Sequence, residues 1–193
     1  PAEGVTRNSY SVLYRTTLVR PSEEWKKIAF YGPETDAGSG DSVAFARFEA
    51  PMNKSTMGID FILGIYDAPD DVTPDDLKIL DQAISAVQTA HPRERDILAG
   101  GTFNVSAPEL QDAVEARVQT RGKGSVLNAT GELTNNLHDH IIILDEDTTT
   151  ELIDAPHVID ARAVAPSNQE FQATCSDHLP ILLRLRTTGP DDD

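Results

Sequence analysis

The chain has 193 residues, of which 39% are apolar, and this length and composition are typical of one globular domain with a sizeable core. Acidic residues outnumber basic ones 32 to 16, so that the formal net charge of -16 excludes an overall basic phosphate-binding surface. The apolar runs are far shorter than the roughly 20 residues of a membrane-spanning helix, so no membrane span is expected.

The first third of the sequence alternates between strand patterns and turn formers. Short runs of β-branched, aromatic and aliphatic residues predict four strands, at 10–20, 28–31, 43–48 and 59–66. The fourth run is almost continuously apolar, which is typical of a central strand covered on both faces. Residues 32–41 are rich in turn formers and predict an exposed loop.

A helix is predicted directly after this central strand. Thr73 can cap it, Pro74 suits its first position, and acidic residues in its first turn favour the positive helix end. The residues predicted to face the core recur at helical spacing, at Leu77, Leu80, Ile84 and Val87.

The remaining elements complete a mixed pattern. A buried strand at 96–101 ends in glycines, and Ser106 to Glu109 forms a capping box that opens a second helix. Further strands are predicted at 141–144, 157–159 and 179–185. A mixed sheet packed by helices is the simplest architecture. We assign residues 1–188 to a single domain and residues 189–193 to an acidic C-terminal tail.

Five motifs stand out along the chain. They are Arg7-Asn-Ser-Tyr10, Ile65-Tyr-Asp-Ala-Pro69, Ala99-Gly-Gly-Thr-Phe-Asn104, Thr134-Asn-Asn-Leu-His-Asp-His-Ile141 and Ser176-Asp-His-Leu-Pro180. In order and spacing they resemble the endonuclease/exonuclease/phosphatase superfamily, and deoxyribonuclease I in particular. The resemblance implies an α/β sandwich of mixed β-sheets packed by helices. Because it begins partway into the family pattern, it also implies that the family's first strands are lacking.

The resemblance implies a site for phosphodiester hydrolysis assisted by a divalent cation, Mg²⁺ or Ca²⁺. It makes His178 a catalytic imidazole held by Asp139. It places Asp177 beside the metal and makes Asn104 the side chain that orients the phosphate. Glu3 matches the carboxylate that orients a second histidine.

Two positions depart from the family pattern. Thr102 stands where the family has an acid, and it cannot carry a negative charge or take a proton from water. Tyr66 stands where the second histidine is expected, and we interpret it as a filler of the lost imidazole's volume, because a phenol with a pKa of about 10 is a poor base. The family's main metal-binding Glu would lie before residue 1.

Each retained residue also has a structural interpretation. His178 and Asp177 suit a polar pair that joins the last strand to its neighbour, a role compatible with a retained site. Arg7 and Tyr10 match a segment near the DNA contact region of deoxyribonuclease I, although a strand entry explains them as well.

These departures favour a pseudo-nuclease: a module with a degenerate site that serves binding or assembly. An unpaired sheet edge would recruit another protein or another copy. The alternative is a divalent-metal-dependent DNA endonuclease, either because a separate N-terminal fragment completes the site or because Glu3, Asp139, Asp177 and His178 suffice. A third possibility is hydrolysis of a phosphoester outside nucleic acids.

The spread of acidic residues along the chain favours a surface suited to high salt, although an ordinary acidic protein would share it. Cys175 is the single cysteine, so no internal disulfide can form. We expect an extracellular or secreted protein in a saline setting.

Overall fold

The computed structural model describes residues 19–22, 29–31, 43–50, 59–144 and 148–186. Within these ranges the elements run in chain order as β1 (Arg20–Pro21), β2 (Ala29–Tyr31), β3 (Val43–Glu49), β4 (Asp60–Asp67), α1 (Lys78–Ala90), β5 (Ile97–Thr102), α2 (Ala107–Ala113), β6 (Arg117–Val118), β7 (Asp139–Ile143), α3 (Thr148–Glu151), β8 (His157–Val158), a 3-10 helix (Arg162–Val164), α4 (Asn168–Thr174) and β9 (Ile181–Leu182). Among the described helices, none is long and apolar enough to cross a membrane.

Seven of the described strands form one mixed sheet, in the order β1-β3-β4-β5-β7-β6, with β2 also paired to β3. The pair β4 and β5 is parallel and is connected through α1, as a crossover between parallel strands requires. The other pairs are antiparallel. The predicted α/β architecture with a mixed sheet is therefore confirmed, and β4 and β5 lie at its centre with their carboxyl ends side by side.

One face of the sheet carries the larger core. The predicted apolar stripe of α1 is confirmed, because Leu77, Leu80, Ile84 and Val87 are all buried. This stripe packs against buried residues of the central strands, and α2 adds Leu110. Burying each large aliphatic side chain stabilises the fold by roughly 1.5–3 kcal/mol.

The opposite face carries a smaller core, built partly by the end of the chain. Leu98 of β5 and Ile141 and Ile143 of β7 are buried there. Partly buried residues that follow or belong to β9, among them Ile181 and Leu183, pack against them. The strand β9 pairs with β8 in a separate two-stranded sheet. Both faces of the main sheet are thus covered.

The two helix starts differ in how well the sequence predicts them. The capping box at Ser106 is confirmed, with its N–H and hydroxyl donating to the Glu109 carboxylate at 2.9 and 2.6 Å. The predicted cap at Thr73 is wrong, because α1 begins at Lys78. The Thr73 backbone N–H and hydroxyl donate to the Asp76 carboxylate at 2.8 and 2.7 Å, and residues 74–77 form turns ahead of the helix.

Several predictions fall outside the described residues. Most of the strand at 10–20, the loop at 32–41 and the tail at 189–193 lie there. The lack of the family's first strands, and the unpaired edge that would follow, stay predictions.

Candidate functional site

Three polar side chains form a row where the central strands end. Asp67 of β4 pairs with Thr102 of β5, which in turn pairs with Asp139 of β7. Neighbours in register across a sheet point to the same face. That face is the one with the smaller core, because Ile141 and Ile143 share the alternation of Asp139.

Asp139 and His178 form a hydrogen-bonded pair beside this row. The Nδ1 of His178 lies 2.7 Å from Oδ2 of Asp139. The other carboxylate oxygen accepts the hydroxyl of Thr102 at 2.8 Å. The buried hydroxyl of Ser125 accepts the backbone N–H of Asp139 at 3.2 Å. The carboxylate is therefore held at both oxygens and at its backbone.

These contacts shift the pKa values of the pair in opposite directions. Burial alone would raise the pKa of Asp139, but hydrogen bonds with His178, Ser125 and Thr102 lower it below the ordinary value. The hydrogen bond to Asp139 raises the pKa of His178, against the opposing effect of burial. The geometry thus favours an imidazolium beside a carboxylate, with Nε2–H on the far side of the ring as a donor.

Asp67 is a site residue that the sequence reasoning missed. Burial raises the pKa of Asp67, and the negative charge of Asp139 raises it further, while His178 lowers it. The carboxylate therefore lies within electrostatic range of the Asp139–His178 pair. Strand alternation was the available signal, because Asp67 shares its face with Leu63.

Tyr66 points the other way. Its side chain is 1% exposed and belongs to the larger core, with its ring centroid 5.6 Å from that of Phe103. The expectation that it fills the place of an imidazole in the site is corrected by this position, because alternation along β4 directs adjacent residues to opposite faces. The strands approach closely here: a Cβ added to Gly101, which has φ +150°, would lie 1.8 Å from the carbonyl oxygen of Tyr66.

Asn104 fixes the loop that follows β4. Its backbone is left-handed, with φ 54°. Its side-chain N–H₂ donates to the carbonyl oxygens of Ala68 and Pro69 at 2.9 and 3.1 Å. The side chain that was expected to orient phosphate therefore binds the backbone next to Asp67, and the phosphate role stays a prediction.

The described residues do not fit a divalent cation. Both carboxylate oxygens of Asp139 are engaged by His178 and Thr102. Asp177 is exposed, and its charge helps to raise the pKa of His178. Within the described part of the chain, no group of three or more His, Cys, Asp or Glu side chains is arranged to hold a metal ion. The metal role of Asp177 stays a prediction.

Three predicted site residues, Glu3, Arg7 and Tyr10, lie outside the described residues. Asp139, a member of the row at the ends of the central strands, and His178 also line a cavity of about 460 Å³.

His140 lies behind the site. It is fully buried on the face of Phe103, with the two ring centroids 5.8 Å apart. Its Nε2 lies 2.9 Å from the carbonyl oxygen of Val105, so that this nitrogen carries the proton. Burial lowers the pKa of His140, and the neutral form is favoured.

Comparison with solved structures supports the fold. A mannosyl-6-phosphatase of Bacteroides thetaiotaomicron is 16% identical, with a TM-score of 0.60 over 89% of this chain and 68% of that chain. An endonuclease/exonuclease/phosphatase family protein of the same species is 16% identical, with a TM-score of 0.59 over 88% of this chain and 66% of that one. One from Bacteroides vulgatus is 15% identical, with a TM-score of 0.59 over 90% and 68%.

The sequence itself matches no protein-family model and no curated protein. This chain spans about two thirds of the length of the structures that it resembles. Identities of this size establish architecture and leave activity open. The resemblance seen in the sequence is confirmed at this level: the chain has the deoxyribonuclease I-like fold of the endonuclease/exonuclease/phosphatase superfamily.

Proposed function

We propose that this chain binds phosphate esters without hydrolysing them, as a pseudo-nuclease with a degenerate site. The observation that carries the proposal is the carboxylate of Asp139, which is bonded on one oxygen to His178 at 2.7 Å and on the other to the Thr102 hydroxyl at 2.8 Å. This arrangement engages both oxygens of Asp139 and favours the protonated form of His178.

Binding is supported by the orientation and charge of His178. Its side chain is 23% exposed, and its Nδ1 is engaged by Asp139, so that Nε2–H is the donor available to a ligand. A phosphate oxygen is a strong acceptor for such a charged donor. The raised pKa of His178 increases the fraction of molecules in which this donor is cationic at neutral pH.

Loss of hydrolysis is supported by Thr102. Its hydroxyl is neutral and donates to Asp139, so it cannot take a proton from an attacking water. General acid-base groups contribute about 10² to 10⁴ in rate each, so the loss of one removes much of the activity.

A second candidate, a divalent-metal-dependent DNA endonuclease, is favoured by Asp67. This carboxylate lies in register with Thr102, and burial raises its pKa toward the range of a proton acceptor. In this candidate Asp67 takes the place of the lost acid, and residues outside the described ranges complete the site.

Assembly through an unpaired sheet edge is the weaker part of the proposal. The described sheet ends at β6 on one side and at β1 and β2, which both pair with β3, on the other. The described parts of these strands are two or three residues long, and short edge strands recruit partners poorly. Binding of a phosphate ester therefore takes precedence over assembly with another protein or another copy.

The test uses methyl phosphate and supercoiled plasmid. We expect methyl phosphate to shift the imidazole resonances of His178 in an NMR titration. Calorimetry should show that binding is lost in His178→Ala and kept in the matched control His138→Ala. Plasmid incubated with Mg²⁺ and Ca²⁺, from low to molar salt, should stay intact. Nicking by the unaltered chain that disappears in His178→Ala would establish the endonuclease and overturn the proposal.

A further inference from the structure

We infer that the cavity beside His178 receives an apolar group of the ligand, so that the ligand is a small phosphate monoester with an aromatic or aliphatic moiety. This inference rests on the proposed function and extends it to the class of ligand. It starts from the walls of the cavity of about 460 Å³.

The cavity has polar and apolar lining residues. Asp139, Ser176 and His178 contribute the polar side chains, and Cys175 contributes a thiol. The apolar side chains come from β7, the start of the 3-10 helix, α4 and the segment that leads into β9, namely Ile141, Ala161, Phe171, Leu179, Pro180 and Ile181. Because His178 and these apolar residues line the same cavity, the ester group of a phosphate bound at His178 would lie beside an apolar surface.

These walls belong to packed parts of the molecule. Ile141 is 8% exposed and lies in the smaller core of the sheet. Phe171 and Leu179 are 4% and 2% exposed and form a separate core cluster with Leu127. Packed residues therefore hold part of the lining in place, and the volume of about 460 Å³ falls in the range of roughly 300–1,000 Å³ that is usual for small-molecule sites.

The described lining has a single side chain that can become cationic, which disfavours a polynucleotide as the ligand. Of the lining residues that the structure describes, His178 is the one whose side chain can become cationic. A nucleic acid presents a negative charge at every nucleotide and is usually bound through several Lys or Arg side chains. The site therefore offers a hydrogen bond to one phosphate group at His178, whose imidazole is also surrounded by the carboxylates of Asp139, Asp177 and Asp67.

The test compares methyl phosphate with phenyl phosphate, which carry the same anionic group and differ in apolar area. Affinities are measured by isothermal titration calorimetry on the full chain. Because burial of a phenyl ring removes apolar surface from water, we expect phenyl phosphate to bind roughly tenfold more tightly or better.

A pair of variants tests whether the cavity itself causes the difference in affinity between the two esters. Ala161→Leu replaces a methyl group of the lining with an isobutyl group, and Ala173→Leu makes the same change at an exposed position of α4 outside the lining. We expect Ala161→Leu to abolish the advantage of phenyl phosphate and to retain methyl phosphate binding. Ala173→Leu should behave like the original chain, and thermal unfolding shows whether both variants fold.

The outcomes distinguish failure of the cavity inference from failure of the proposed function. Equal affinities for the two esters in the unaltered chain would overturn the cavity inference and leave the proposed function standing. Binding of neither ester would overturn both. If Ala161→Leu fails to fold, the ratio of the two affinities in the unaltered chain still decides the inference.

Discussion

Two histidines near the end of the same sheet have opposite electrostatic properties. His178 bonds to Asp139, and this hydrogen bond raises its pKa. His140 is buried against Phe103 and bonds to a backbone carbonyl, and burial lowers its pKa. Both side chains are at least partly buried, so burial alone does not decide the charge of the imidazole. The hydrogen bond to the Asp139 carboxylate, on one face of the sheet, accounts for the difference.

The alternation of β7 produces this difference. Asp139 and His140 are adjacent in the sequence and therefore point to opposite faces. One face presents a charged pair to a cavity, and the other keeps a neutral imidazole in the core. The sheet therefore separates a charged pair on one face from an apolar core on the other.

Replacing the carboxylate of Asp139 should have the largest effect on the difference in pKa between His178 and His140. We expect Asp139→Asn to lower the pKa of His178, because the neutral amide no longer stabilises the imidazolium. A lower pKa reduces the protonated fraction, by at most about tenfold for each pKa unit, so affinity for methyl phosphate at neutral pH should fall by up to about tenfold per unit. NMR titration of the imidazole and calorimetry check both effects.

Asp112→Asn is the matched control, because Asp112 is exposed on α2 and loses the same charge. It should leave both measurements unchanged. An unaltered His178 pKa in Asp139→Asn would show that the pair does not form in solution.

Replacing the buried imidazole should change how stability depends on pH. His140 has a folded-state pKa below the ordinary 6.5. As the pH falls below about 6.5, His140 becomes protonated in the unfolded chain but stays neutral in the folded chain. The free energy of unfolding therefore decreases by up to about 1.4 kcal/mol per pH unit. This loss continues until the pH reaches the lowered folded-state pKa.

His140→Gln keeps an N–H donor for the Val105 carbonyl and removes the titration. Urea unfolding at several pH values should show a shallower acid slope in this variant. His157→Gln, on β8, is the control and should keep the original slope. His178 acts in the other direction, because its raised pKa contributes stability below 6.5 that is lost as the pH rises through the folded-state value. A variant slope equal to the original would contradict the assignment to His140.

The smallest effect should come from Asp67. Its negative charge raises the pKa of His178 by less than the contribution of Asp139. We therefore expect Asp67→Asn to lower the His178 pKa in the same direction by a smaller amount, measured by the same NMR titration. Asp70→Asn is the neighbouring control and should change it less, because Asp70 acts on Asp67. A larger effect from Asp70 than from Asp67 would rule out the register described for the row.

Much of the architecture followed from local patterns. The apolar run at 59–66 predicted the central strand β4, and the spacing from Leu77 to Val87 predicted the buried face of α1. The start of α1 could not be predicted, because whether the Thr73 hydroxyl accepts from the backbone or donates to Asp76 depends on local geometry.

The site was predicted less completely. The motifs singled out Asp139 and His178, and the structure brings them into contact. Matching residues by motif assigned a site position to Tyr66, whereas the register of β4 against β5 places Asp67 in the row. The partners of Asn104 could not be predicted either, because they are backbone carbonyls whose position depends on a left-handed turn.

The glycine between these strands has a consequence for how the sequence can diverge. Any side chain at Gly101 would meet the carbonyl oxygen of Tyr66, so substitution there would push apart the two strands that carry Asp67 and Thr102. Gly101 thus sets the spacing between two members of the row without contributing a side chain to it.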